Sequence, residues 1–157
     1  MNAFSDYTRH MELDKTDERI LKNLMVDARL SARQLALKLG ISTVTVLSRI
    51  KKLEREKIIK GYTALIDHEK LGYNLTAIIE IIAKKDKIID MEVEISKIEN
   101  VCGVYDITGN TDTLIIAKFK SRNELSEFVK GLATIPNIEN TITHVVLNTT
   151  KEDFRLT

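Results

Sequence analysis

The chain has 157 residues, 43% of them hydrophobic and 30% charged, with a formal net charge of +1; this is globular composition, long enough for one ordinary domain or two small ones. No membrane span is expected, because the longest apolar run, "AIIEIIA" from Ala77 to Ala83, is far shorter than a bilayer crossing and carries Glu80 in its middle, and "MNAFSDYTRH" lacks the apolar stretch of a secretory signal. Cys102 is the single cysteine, which excludes an intrachain disulfide and a cysteine-based zinc site and suits the reducing cytoplasm. His10, His68 and His144 each stand apart from a second ligand, so neither a metal nor a cofactor is expected.

The near-zero net charge conceals a division. Residues 1–65 hold 13 Lys+Arg against 8 Asp+Glu, while residues 66–157 hold 11 against 15. A basic first part joined to an acidic second part points to nucleic-acid binding in the first and another task in the second. A solvated charged face would give the same excess, so charge alone leaves the two readings level.

In chain order, "LDKTDERILKNLMVDAR" comes first, with Ile20, Leu21, Leu24, Met25 and Ala28 on one helical face and Asp14 or Thr16 as its cap. "SARQLALKLG" follows. Its Ser31 and Gln34 have capping-box spacing, Leu35, Ala36 and Leu39 share a face, and Gly40 supplies the left-handed stop. "STVTVLSRIKKLER" then begins at the N-cap Ser42. At about 100° per residue, Val46, Ile50 and Leu53 form the buried stripe, and Val44, Thr45, Ser48, Lys51, Lys52 and Arg55 gather opposite. Helix, tight turn, helix is the expected result.

An exposed valine is unhelpful on a merely solvated face. Against a major groove it can meet a thymine methyl while Thr and Ser hydroxyls meet base edges or phosphates. The run from Arg49 to Lys60 holds six cations against Glu54 and Glu56, a natural match for phosphates. Leu47 is expected to pack on the helical core, with reaching DNA as the alternative. Arg49, at the flank, suits either a phosphate or an acidic neighbour.

Beyond Gly61 an extended segment and the short linker "HEKLG" lead to a different pattern. "YNLTAIIEIIA" reads as a strand, "KIIDMEVEISKIE" as a helix, "VCGVYDITG" and "TDTLIIAKF" as strands, "RNELSEFVKGLATI" as a helix and "IENTITHVVLN" as a last strand. Gly109-Asn110 reads as a two-residue hairpin turn. The order βαββαβ is that of the ferredoxin-like split βαβ motif. Both helices would cover one face of its sheet, leaving an apolar second face that a dimer would bury.

From residue 12 to 152 the sequence resembles the Lrp/AsnC, or feast/famine, family of transcription regulators. "LDKTDERIL", "ARLSARQLALKLGIS", "SRIKKLEREKIIKGYTALID" and the TG-two-residues-D turn around Gly109 stand in the family's order and spacing. The resemblance implies an α+β protein: a loose extension over 1–11, a winged-helix-like helix-turn-helix domain over 12–60, a β-strand hinge and linker over 61–72, and a ferredoxin-like domain for effector binding and oligomerisation over 73–157. It also implies homodimers, assembling to octamers in many members, and small effectors, usually amino acids, bound between dimers near the turn. Carried across by position, the DNA helix falls on Ser42 to Glu54, giving Ser42, Thr43, Val44, Thr45, Ser48, Arg49, Lys51, Lys52 and Arg55 as the candidate DNA-binding residues.

The family's effector turn usually reads Gly-Asp-Tyr-Asp. Here it is Gly109-Asn110-Thr111-Asp112, without the first acid and the aromatic. With Thr141 and Thr143 of the last strand these four are the candidate effector-binding residues, Asp112 being the natural partner for an ammonium. The expected function is a sequence-specific, effector-responsive DNA-binding regulator in the cytoplasm, associated with the nucleoid. An effector-independent regulator or an architectural DNA-coating protein keeps the helix and the oligomer without the ligand. An enzyme on the ferredoxin-like domain is not expected, since no nucleophile-base pair, metal cluster or phosphate loop stands at recognisable spacing.

Overall fold

The computed structural model describes residues 13–84 and 88–156, so the expected extension over 1–11 lies outside the described residues. The chain divides into two compact units, one formed by residues up to Leu65 together with those from Asp153 onward, the other by Ile66–Glu152.

The first unit is helical. Helix α1 spans Lys15–Val26, α2 Ala32–Leu39 and α3 Thr43–Arg55. Asp14 caps α1 by accepting from the N–H groups of Thr16 and Asp17, and the Ser31–Gln34 capping box forms in full on α2. Gly40 takes φ 70 at the end of α2, a left-handed conformation that a residue with a Cβ resists. Ile20, Leu24, Leu35, Ala36, Leu39, Val46 and Leu53 form the core, with Ile41, Ile50, Ile58 and Ile59 packed around it. The end of α3 is less obvious from sequence. The Ile58 N–H bonds to the Leu53 carbonyl and the Lys57 N–H to that of Glu54, a Schellman motif whose left-handed residue, Lys57 at φ 59, is not a glycine.

The second unit is a four-stranded antiparallel sheet with two helices: β1 Leu75–Ala83, α4 Ile88–Ile95, β2 Val101–Asp106, β3 Thr113–Phe119, α5 Arg122–Leu132 and β4 Ile138–Val145. The strand order is β2-β3-β1-β4, the ferredoxin-like arrangement expected from the sequence. Alternation sorts the two faces. Ala77, Ile79 and Ile81 of β1 and Ile115, Ala117 and Phe119 of β3 are buried with Met91, Ile95 and Leu132 of the helices. Thr76, Ile78, Glu80 and Ile82 point the other way, beside Leu114, Ile116 and Lys118 of β3 and Ile142 and His144 of β4. Neither helix covers this open face.

The link between β2 and β3 departs from the two-residue turn at Gly109-Asn110. Asp106 still pairs with Thr113, but the connection runs from 107 to 112 and closes through the Ile107 N–H on the Asp112 carbonyl. Asp112 is drawn instead toward β1, where its N–H bonds to the Ile81 carbonyl.

Candidate DNA-binding face and effector turn

On α3 the outward side begins with Val44, 77% exposed, an apolar group held in water with no core contact to justify it. Ser42 is used locally: its Oγ accepts from the Thr45 N–H at 3.0 Å and lies 2.8 Å from Thr45 Oγ1, so these two hydroxyls first hold the helix start in shape. Thr43, Ser48, Lys51 and Arg55 are exposed. Arg55 lies against its neighbour Glu56, a pairing between side chains that remain largely in water. Leu47 is 47% exposed and is not among the residues packed on the core, contrary to the packing expected for it; it stands on the outward side beside Ser48.

The remaining two cations point elsewhere. Arg49 is paired with Asp14 and, at 3.0 Å, with Asp17, and the Lys52 ammonium lies 3.4 Å from the other Asp17 oxygen. Asp17 is wholly buried. The Arg49 guanidinium pulls the Asp14 carboxyl below the ordinary carboxylate range, helped by the Asp17 N–H, and the same contact raises Arg49. The sequence offered Arg49 a phosphate or an acidic neighbour, and it holds an acidic neighbour here. Nothing in the local sequence ties Lys52 to Asp17, since the two are 35 residues apart.

Around the effector turn, Gly109 takes φ 133, a conformation that favours glycine, and Gly109 and Asn110 are exposed. Their two neighbours look inward. The Asp112 carboxylate accepts from the Ala83 N–H at 2.8 Å, where the register of β1 against β4 shifts between Ile82 and Ala83 and the N–H needs a partner outside the ladder. Thr111 is buried and donates its hydroxyl to Glu80 at 2.9 Å, while the His144 ring lies 3.2 Å from the other Glu80 oxygen. Thr141 and Thr143 pair with Ile81 and Ile79 and therefore project to the helix-bearing face, opposite Thr111 and Glu80. Of the six candidate residues, Thr111 thus turns to the open face and Thr141 and Thr143 to the other, while Gly109 and Asn110 lie in the connection between β2 and β3. Glu80 and His144, which sequence reasoning did not assign to a site, place a carboxylate and an imidazole on the open face beside the turn; Glu80 inside an apolar strand was the available signal.

Comparison with known proteins agrees with both units. Residues 13–54 match the AsnC-type helix-turn-helix domain and residues 76–156 the Lrp/AsnC ligand binding domain. An uncharacterized helix-turn-helix-type transcriptional regulator of Pyrococcus furiosus is 47% identical over 146 residues, covering 93% of this chain and 99% of its own. Among solved structures, LrpC of Bacillus subtilis is similar at 30% identity and a TM-score of 0.79, covering 90% of this chain and 99% of that one. A transcriptional regulator of Neisseria meningitidis in complex with L-methionine is similar at 31% identity and a TM-score of 0.84, covering 93% and 97%. The chain belongs to the Lrp/AsnC family of helix-turn-helix transcriptional regulators.

Proposed function

We propose that the protein is a sequence-specific regulator that lays α3 in the major groove of duplex DNA. Val44, Thr45, Leu47 and Ser48 meet base edges there, Ser42 and Thr43 approach the backbone at the helix start, and Lys51 and Arg55 meet phosphates. The observation that carries this reading is Val44, 77% exposed at the head of a face that, Leu47 apart, offers hydroxyls and cations. Its work is then on the nucleoid, in the cytoplasm.

Two copies are proposed to join through the open sheet face, where Ile78, Ile82, Leu114, Ile116 and Ile142 would bury apolar surface against the same face of the partner. An amino acid or related small molecule is proposed to bind between such dimers at Gly109 and Asn110, whose backbone groups are accessible. Thr111 and Asp112 then shape the turn, and Thr141 and Thr143 line its other side. The match of residues 76–156 to a ligand binding domain and the L-methionine complex of the Neisseria regulator support this. A ligand-independent regulator, or one that coats DNA, is favoured by a specific observation: the Asp112 carboxylate and the Thr111 hydroxyl are already spent inside the chain.

Duplex binding by single variants tests the α3 reading. Ser48→Ala should change the preference between operator and random DNA, at about 1–3 kcal/mol per base contact, whereas Lys51→Ala should weaken both alike. Equal losses on every sequence for Ser48→Ala would remove it from the base-reading set. Calorimetry with each of the twenty amino acids separates the effector readings; no heat with any of them, and unchanged footprints in their presence, would leave the ligand-independent regulator.

A further inference from the structure

Asp17 lies on the first turn of α1, and its carboxylate has no access to solvent. A buried carboxylate is strongly unfavourable unless cations and hydrogen bonds surround it. Both of its oxygens are met from α3: Arg49 Nη1 stands 3.0 Å from Oδ1 and Lys52 Nζ 3.4 Å from Oδ2. Three residues apart, these cations share one side of α3 and both turn back toward α1. Asp14 holds Arg49 from a second direction. Lys51 and Arg55, by contrast, are exposed, and the carboxylate beside Arg55, that of Glu56, is itself at the surface and not beneath the helix.

From this geometry we infer that Asp17 is a positioning residue for DNA binding, which clamps α3 through Arg49 and Lys52 and withdraws those two cations from the phosphate contacts. The inference rests on the reading that the outward side of α3 faces DNA. Its consequence is electrostatic. A helix that looks from sequence as if it offered four cations to the phosphates offers two, and the other two fix the angle at which Val44, Thr45 and Ser48 are presented. A carboxylate beneath the helix also keeps its net charge low, which restrains binding to arbitrary duplex.

The test is the salt dependence of binding by the full-length protein to one operator duplex and one random duplex. Each cation that neutralises a phosphate contributes about 0.9 to the slope of log K against log salt. Lys51→Ala should therefore make the slope shallower by about 0.9 per bound subunit, while Lys52→Ala should leave it unchanged. Asp17→Asn frees Arg49 and Lys52, so its slope should steepen by up to about 1.8 per subunit, and its preference for operator over random DNA should fall about tenfold as α3 loses its fixed angle. A thermal melt checks that Asp17→Asn is folded, and the Lys52→Ala arm does not depend on it because the Lys52 side chain is 36% exposed. A residue needed only for stability would lower the melting temperature without steepening the slope. A slope for Lys52→Ala as shallow as that of Lys51→Ala would overturn the inference alone. If neither lysine changed the slope, the DNA-facing reading of α3 would fall, and the inference with it.

Discussion

Asp112→Ala distinguishes a residue that shapes the effector turn from one that meets the ligand. The substitution removes the acceptor of the Ala83 N–H, a bond of 2.8 Å to a carboxylate oxygen, and leaves that N–H without a partner where β1 and β4 shift register. Ala83 is 7% exposed, so water has little access to replace the bond. A hydrogen bond to a charged group contributes about 1.5–3 kcal/mol, so the sheet unit should lose about 2 kcal/mol in the absence of any amino acid. With a urea dependence of about 2 kcal/mol per molar, the unfolding midpoint should fall by about 1 M. Asp112→Asn keeps an acceptor without the charge and should lose about half as much. Urea unfolding followed by circular dichroism, at one fixed protein concentration because the protein is expected to self-associate, measures both. If Asp112→Ala unfolded at the wild-type midpoint and lost only amino-acid binding, the carboxylate would be a ligand group and the argument from Ala83 would be refuted.

Further expectations concern the helical unit and the dimer. The Asp14 carboxyl is held below the ordinary carboxylate range by Arg49 and the Asp17 N–H; its contribution to stability is therefore complete above the unfolded-state value and lost as pH falls through the lower folded value. Asp14→Asn, which keeps the cap, should flatten the acid limb of a stability profile below about pH 4. Tyr62 is pushed up to about 12, first by partial desolvation of its hydroxyl, although the residue is 52% exposed, and then by its hydrogen bond to Glu54, so its contribution is present below about pH 10 and lost as pH rises through the folded value; the absorbance difference between wild type and Tyr62→Phe should show a phenol ionising near the upper figure. Lys57→Gly should raise stability by about 1 kcal/mol in a thermal melt, because Lys57 sits at φ 59 where a Cβ is penalised. A fragment from Leu71 onward should sediment as a dimer, and residues 1–65 alone as a monomer that binds DNA poorly; a monomeric sheet fragment would contradict the open-face dimer.

The parts of the fold legible in the sequence were those governed by neighbours along the chain. Ser31 with Gln34, Gly40 and Ser42 mark helix ends because capping bonds reach only a few residues. The change from helical spacing to alternation before Ala77 announced βαββαβ. What escaped depends on partners distant in sequence. Asp17 meets Arg49 and Lys52 across 32 and 35 residues, so a lysine that reads as a phosphate contact in helical projection is turned inward. Asp112 reaches Ala83 across 29 residues, a commitment that the turn pattern around Gly109 does not signal. Lys57 ends α3 in a left-handed conformation with no glycine to signal it. At the candidate sites, residue identities were readable but not the side chains' prior commitments, and Glu80 was visible only as an anomaly within an apolar strand.

The most direct test is footprinting of the full-length protein on a duplex carrying the promoter of its own gene, in competition with random duplex of equal length. A sequence-specific regulator that reads bases with α3 should give discrete protected segments, spaced by about one helical turn or its multiples, that persist under roughly a thousandfold excess of random competitor. Protection that spreads evenly along the duplex with concentration, and disappears when random DNA is present in equal amount, would contradict sequence-specific regulation and leave a protein that coats DNA.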